Sequence, residues 1–222
     1  MFETLLQMLA PHYCVNCNAK QRLICEKCIQ LCIRSPAETC YRCNALSPEN
    51  KTCRSCRSSS QVFSLHKITY YEPPMSEVII RMKYAAARQG ASELGRLVAD
   101  RLTLPSADLV TYVPTDTARV RQRGFDHAKI MAKVVCLRTN TPIMCTLARR
   151  AGHTKQTGSS RRRRMEQMKE SLEVVNTDKV AGRHVLLVDD VVSTGASVEA
   201  AAALLRDAGA KRVHVAVAAH NR

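Results

Sequence analysis

Tryptophan is missing from these 222 residues, aromatic residues make up only 4%, and Asp plus Glu number 19 against 34 Lys plus Arg. Each shortage excludes something. With so few rings, base stacking cannot be the main grip on a nucleic acid, so any such contact must be electrostatic and indifferent to sequence. The apolar runs are a few residues long, far short of the roughly 20 that a membrane-spanning helix needs. The opening MFETLLQMLAPHY carries Glu3 but neither a basic start nor a small-residue cleavage site. The chain therefore reads as cytoplasmic, with no membrane span. Its formal charge of +15 calls for an anionic partner.

Cysteine, by contrast, is abundant. Of 11 cysteines, eight form C-x-x-C pairs: Cys14 with Cys17, Cys25 with Cys28, Cys40 with Cys43, and Cys53 with Cys56. Two thiolates three positions apart can hold one side of a tetrahedral zinc ion, and two such turns close a four-sulfur site. Eight ligands give about two structural zinc ions at this stoichiometry. A disulfide framework would need an oxidising compartment that the sequence gives no sign of entering. Short gaps favour sequential pairing of the four turns, and a cross-braced arrangement stays open. Cys32, Cys136 and Cys145 read as small buried hydrophobes. The Cys-rich segment has few large apolar residues, so metal must supply its folding energy, on the order of 10 kcal/mol per site. This divides the chain into a zinc-binding module, residues 1–60, and a second domain, residues 61–222.

The second part alternates strand-like and helix-like pieces. A helical pattern over 75–102, broken near Gly90, is followed by strand DLVTYV and a helix from Phe125 to Leu137. Then come strand PIMCTL, a basic loop, strand HVLLVDD, a helix from Ala196 to Ala208, and strand RVHVAVAA. Such alternation predicts an α/β fold with parallel strands and helical crossovers. No internal repeat is read.

The stretch HVLLVDDVVSTGAS, residues 184–197, concentrates the chemistry. Val185–Val188 reads as a strand buried on both faces, so the residues after it lie at the carboxyl edge of an open sheet, where such folds bind ligands. Ser193, Thr194, Gly195, Ala196 and Ser197 offer hydroxyls, backbone N–H groups at a helix start and a glycine for close approach, which suits a phosphate. Asp189 and Asp190 would repel a phosphate and need donors instead, sugar hydroxyls or Mg(II). A ribose bearing a 5-phosphate satisfies both halves.

Four aliphatics, two acids, two further residues and then Ser-Thr-Gly-Ala-Ser resemble the signature of the type I phosphoribosyltransferases, which bind phosphoribosyl pyrophosphate (PRPP). Residues 112–132, with Arg-Gly-Phe at 123–125, residues 147–174, and VIIRMKYAA at 78–86 extend the likeness. Together with the Cys pairs they make the chain similar to the ComF family of competence-associated phosphoribosyltransferase-like proteins. That family usually has Asn-Gln after Arg-Gly-Phe, where this chain has Asp126 and His127.

The resemblance implies a type I phosphoribosyltransferase-like parallel sheet with helices on both faces behind a small Cys-rich zinc-ribbon module. Asp189 and Asp190 become the catalytic pair on the ribose, one of them through Mg(II) that accompanies PRPP. Val191, Val192, Ser193, Thr194, Gly195, Ala196 and Ser197 cradle the 5-phosphate, and Arg119, Arg121 and Arg123 face the pyrophosphate. His127 is a candidate general base. From Arg149 to Arg164 the chain carries Arg149, Arg150, Lys155, Arg161, Arg162, Arg163 and Arg164 and no acid, which suits pyrophosphate, nucleic acid or solvent. The family's link to DNA uptake in natural transformation implies single-stranded DNA, and DNA-uptake or recombination proteins, as partners. Two functions follow: a phosphoribosyl transfer enzyme with an unnamed acceptor, or a non-catalytic nucleic-acid-binding protein with PRPP as a regulatory or vestigial ligand.

Overall fold

The computed structural model describes residues 12–103, 107–150 and 161–221, with side chains in the last stretch from Met165 onward. Its strands are β1 (Ser64–Tyr70), β2 (Leu109–Tyr112), β3 (Leu147–Arg149), β4 (Leu172–Val174), β5 (His184–Val192) and β6 (Arg212–His220). Four of them form an all-parallel sheet in the order β1-β6-β5-β2, while β3 and β4 make a separate antiparallel pair. The two inner strands have neighbours on both sides and helices above and below. That is why Val185–Val188 and Val213–Ala219 are almost wholly aliphatic and buried.

Two short helices, α1 (Glu26–Cys32) and α2 (Arg54–Arg57), lie in the Cys-rich segment. Alternate residues of β5 serve two cores. Leu186 and Val188 point to the face covered by α3 (Met75–Tyr84), α4 (Arg88–Arg101) and α6 (His127–Thr139). Val185 and Leu187 point to the face covered by α8 (Ala196–Asp207), against which α7 (Arg161–Glu170) packs. The sequence places Val198, Ala201, Leu205 and Ala208 on one stripe of this helix; the first three are buried, and Ala208, just past the end of α8, is half-buried. On the other face, a Cβ at Gly95 would lie 2.9 Å from the Met131 carbonyl oxygen and 2.9 Å from the Val134 Cβ, so α4 and α6 approach as closely as a glycine permits. No helix among the described residues is long and apolar enough to cross a membrane.

Five local expectations need correction. Cys32 and Cys145, read as buried, are exposed, and Cys136 is half-buried. The break in the 75–102 helix falls at Ala85–Ala87, where Ala86 takes a left-handed φ of 51°, while Gly90 sits inside α4. There a Cβ would meet Leu23 Cδ1 at 2.9 Å, so Gly90 serves packing rather than a break. Residues 142–146 are not a strand. Pro142 has no N–H to give, Ile143 makes one isolated parallel bridge to Val110, and pairing resumes only at β3. Arg161–Arg164 open α7 instead of ending a loop, as good helix formers do. Finally, the Cys-rich segment does repeat. CVNCNA at 14–19 and CYRCNA at 40–45 fold identically: Asn18 and Asn44 turn left-handed at φ 58° and 59°, and Cys14 and Cys40 each accept from them and donate to Ala19 and Ala45.

Candidate functional site

The two acids lie within β5, with Asp189 in register with Val217, and the strand runs on to Val192 before the turn begins. They are not equivalent. Asp190 is 4% exposed, and its Oδ2 lies 2.5 Å from Lys83 Nζ on α3 and 3.3 Å from His127 Nε2 on α6. The Lys83 ammonium and the His127 ring thus face the same carboxylate oxygen. Burial alone would raise Asp190, but His127 and Lys83 outweigh it and hold its carboxyl well below the usual carboxylate range. Asp189 is half-buried and accepts the Asp190 N–H at 2.9 Å. Burial, and then the charge of Asp190 beside it, push Asp189 upward. So Asp190 is the fixed anion and Asp189 the carboxylate that faces outward.

His127 is oriented by its neighbours. Arg123 Nη1 donates to its Nδ1 at 2.6 Å; because a guanidinium only donates, Nε2 carries the proton and points at Asp190. Its neighbour Asp126 has a structural task. It caps α6 through the Lys129 N–H and accepts from the Thr115 N–H at 3.0 Å and the Thr115 hydroxyl at 2.8 Å, fastening the turn after β2 to that helix.

Arg119, Arg121 and Arg123 fall on a helix that the sequence pattern did not reveal, α5 (Thr117–Arg123), capped by Asp116 and ended by Gly124 at φ 84°. Arg119 and Arg123 line a cleft of about 280 Å³ with Lys83 and Tyr84; Arg121, half a turn away, is not among its lining residues. Arg123 also donates to the Lys83 carbonyl at 2.8 Å. Arg149 is a brace, with Nε on the Pro114 carbonyl at 2.9 Å and Nη1 on the Ser171 hydroxyl at 2.8 Å. Arg150 lies on the surface, 3.9 Å from Glu173. Lys155 is outside the described residues, and Arg161–Arg164 are described only as backbone of α7.

Ser193 and Thr194 follow β5, and Gly195, at φ 75°, is the N-cap of α8. No side chain caps this helix, so the backbone N–H groups of its first turn face the carboxyl edge of the sheet. Acids, turn and helix start thus come together, joined by Lys83, Thr115 and His127. Lys83 was legible only as part of the KY dipeptide in VIIRMKYAA.

The eight paired cysteines gather in two sequential groups. In each of Cys14, Cys17, Cys25, Cys28 and Cys40, Cys43, Cys53, Cys56, the sulfur atoms all lie within 4.8 Å of one another. Four thiols at that spacing fit a soft tetrahedral ion with no position left open. Within the second cluster the Ser55 hydroxyl and the Cys56 N–H pull the Cys53 thiol down to about 6, while burial and the neighbouring thiols push Cys56 up to about 12. His127, Asp189 and Asp190 form a third group of donors within that same limit.

Residues 120–222 match the model of the phosphoribosyl transferase domain. The chain is 28% identical over 226 residues to the DNA utilization protein YhgH of Escherichia coli, covering 94% of this chain and 96% of that one. It is also 28% identical to competence protein F of Haemophilus influenzae over 159 residues, 67% of this chain and 69% of that one. Together these matches support a ComF-family phosphoribosyltransferase-like protein. Over 99 residues, 45% of this chain and 49% of the other, it is 36% identical to an adenine phosphoribosyltransferase of Treponema pallidum.

A buried glutamate fastens each Cys cluster to a helix that packs on the sheet. Glu93 on α4 accepts the Leu23 and Ile24 N–H groups of the first cluster at 3.1 and 3.0 Å. Glu199 on α8 accepts from the Tyr41 hydroxyl, from Arg42 Nη1 at 2.9 Å and from the Gln61 N–H at 3.1 Å. Sequence reasoning missed both, because a glutamate inside an amphipathic helix reads as a solvated charge.

Proposed function

We propose that this protein binds PRPP with magnesium at the carboxyl edge of its sheet and serves the handling of single-stranded DNA during DNA uptake, in the cytoplasm. The observation that carries the first half is one continuous element. Strand β5 presents an outward carboxylate at Asp189 and ends in a Ser-Thr-Gly turn at the uncapped start of α8. On this reading Asp189 takes the ribose hydroxyls, alone or through the metal, and Val191–Ser197 takes the 5-phosphate. Arg119 reaches the pyrophosphate from α5. Bound magnesium would neutralise the leaving group, while Lys83 and His127 keep Asp190 anionic and in place. Residues 1–60 form a module with two structural zinc ions, and residues 61–222 form the phosphoribosyltransferase-like domain.

The DNA half rests on the +15 charge and on relatives named for DNA utilization and competence. Phosphate contacts of this kind give an affinity for single strands that falls with salt at a log–log slope of roughly −0.7 per phosphate neutralised. Replacing Arg161–Arg164 with Ser should flatten that slope by about two to three units. A slope near zero, or one unmoved by the replacement, removes DNA from the account.

A second reading, PRPP as a regulatory ligand without turnover, is favoured by the cations already engaged within the protein: Lys83 on Asp190, Arg123 on His127, and Arg149 on Pro114 and Ser171. A screen for pyrophosphate release over nucleobases, nucleotides and DNA separates the two. Release with any acceptor supports transfer, and binding without release supports regulation.

A further inference from the structure

A cavity of about 560 Å³ lies between the second Cys cluster and the Ser193–Thr194 turn, on the β1–β6 side of the sheet. Neither Asp189, Asp190 nor any arginine of α5 lines it, so it is not the ribose site. Among its lining residues is Lys67 of β1, which is only 7% exposed. Its ammonium donates to the Thr39 hydroxyl at 2.5 Å and, among the described residues, has no carboxylate within ion-pair distance. Arg42, Asn44, Ser193, Thr194, Tyr41 and Tyr70 are among the other lining residues, and the lining holds no acid.

An ammonium held in a strand without a carboxylate, facing a cavity free of acids, is a site for an anion. The volume decides which kind. It falls in the range of small-molecule pockets, roughly 300–1,000 Å³, and is many times larger than a phosphate ion, leaving space for a sugar and base beside the tyrosine rings. We propose that this cavity binds a nucleotide, its phosphate on Lys67 and its nucleoside against Tyr41 and Tyr70. The ligand sits back to back with the 5-phosphate position of PRPP, across the Ser193–Thr194 turn. This site does not depend on the PRPP assignment. Where both ligands bind, two phosphates flanking one turn repel, so each weakens the other.

Burial pushes Lys67 down while the Cys40 thiolate pulls it up, and that attraction is the structural explanation to compete with. The test therefore reads zinc content along with affinity. Deoxyadenosine 5′-monophosphate is titrated calorimetrically into the full chain without PRPP, and into Lys67→Met, Asn44→Asp and Asp190→Asn. Saturable binding is expected, weakened at least tenfold by Lys67→Met and several-fold by the carboxylate of Asn44→Asp. It should change less than twofold in Asp190→Asn, with zinc unchanged throughout. If Lys67→Met loses zinc, Asn44→Asp decides. No binding, indifference to Asn44→Asp, or loss in Asp190→Asn alone, which would place the nucleotide in the ribose site, overturns the proposal. A short oligodeoxynucleotide with a 5′-phosphate, compared with its 5′-hydroxyl form, tells the source. Displacement of the probe by the phosphorylated strand alone marks a strand end, and displacement by neither marks a free nucleotide.

Discussion

Built on the same six-residue turn, the two Cys clusters are joined to the rest of the molecule in different ways. The first lies under α4, lends Leu23, Ile24 and Ile33 to the larger core, and receives Glu93 through backbone N–H groups alone. The second lends Tyr41 to the opposite core and is held by side chains, Tyr41 and Arg42, on Glu199. Glu199 is on α8, one turn from the Ser193–Gly195 loop, whereas Glu93 lies on a helix that ends far from it in the chain. One cluster is thus part of the core, and the other is a clamp on the helix whose start would hold a phosphate.

The largest expected effect separates them by stability. Cys14→Ser with Cys28→Ser should lower the melting temperature by at least about 10 °C, since a domain of this size moves about 2–4 °C per kcal/mol. The matching change at Cys40 and Cys53 should move it by less than half as much. Equal shifts in calorimetric melts would erase the distinction.

A smaller effect separates them by function. Glu199→Gln should weaken PRPP binding by about tenfold, for the loss of roughly 1.4 kcal/mol, because Arg42 loses its carboxylate and the start of α8 loosens. Glu93→Gln should lower the melting temperature and leave PRPP affinity within about twofold on the same scale. If both substitutions act alike on affinity, the second cluster is no clamp.

The smallest effect is a dependence on pH shared by neither cluster. Ser64 bridges His66 and His214 at 3.0 and 2.8 Å, and burial pushes each histidine down to about 4. A folded value below the unfolded value of about 6.5 means stability that is present above pH 6.5 and is lost as pH falls toward 4. Denaturant midpoints over that window should fall, and His214→Gln should flatten the fall.

How much of this was legible follows from range. Val185–Val188 and the α8 stripe announce themselves because burial on two faces, or on one stripe, leaves a local pattern. The Cys pairs do so because their ligands sit three residues apart. Helix α5 stayed hidden because Thr-Ala-Arg-Val-Arg-Gln-Arg has no apolar stripe and owes its start to the Asp116 cap. The pairing of Lys83 with Asp190 joins residues more than a hundred positions apart, and Glu199 with Tyr41 likewise, so no local spacing could disclose them. The repeat of the Cys turn lies open in CVNCNA and CYRCNA but is masked by the second halves, at Cys25 and Cys53, which break the period.

The central claim is that Asp189 is the outward carboxylate of a PRPP site at the end of β5. Among the described residues its carboxylate accepts one hydrogen bond, from the Asp190 N–H, so Asp189→Ala should leave the melt and the circular dichroism spectrum nearly unchanged. Calorimetric titration of PRPP with Mg(II) should give saturable one-site binding to the unaltered chain and an affinity at least a hundredfold weaker, about 2.7 kcal/mol, in Asp189→Ala. Equal affinity in the two proteins, with both folded, would contradict the account.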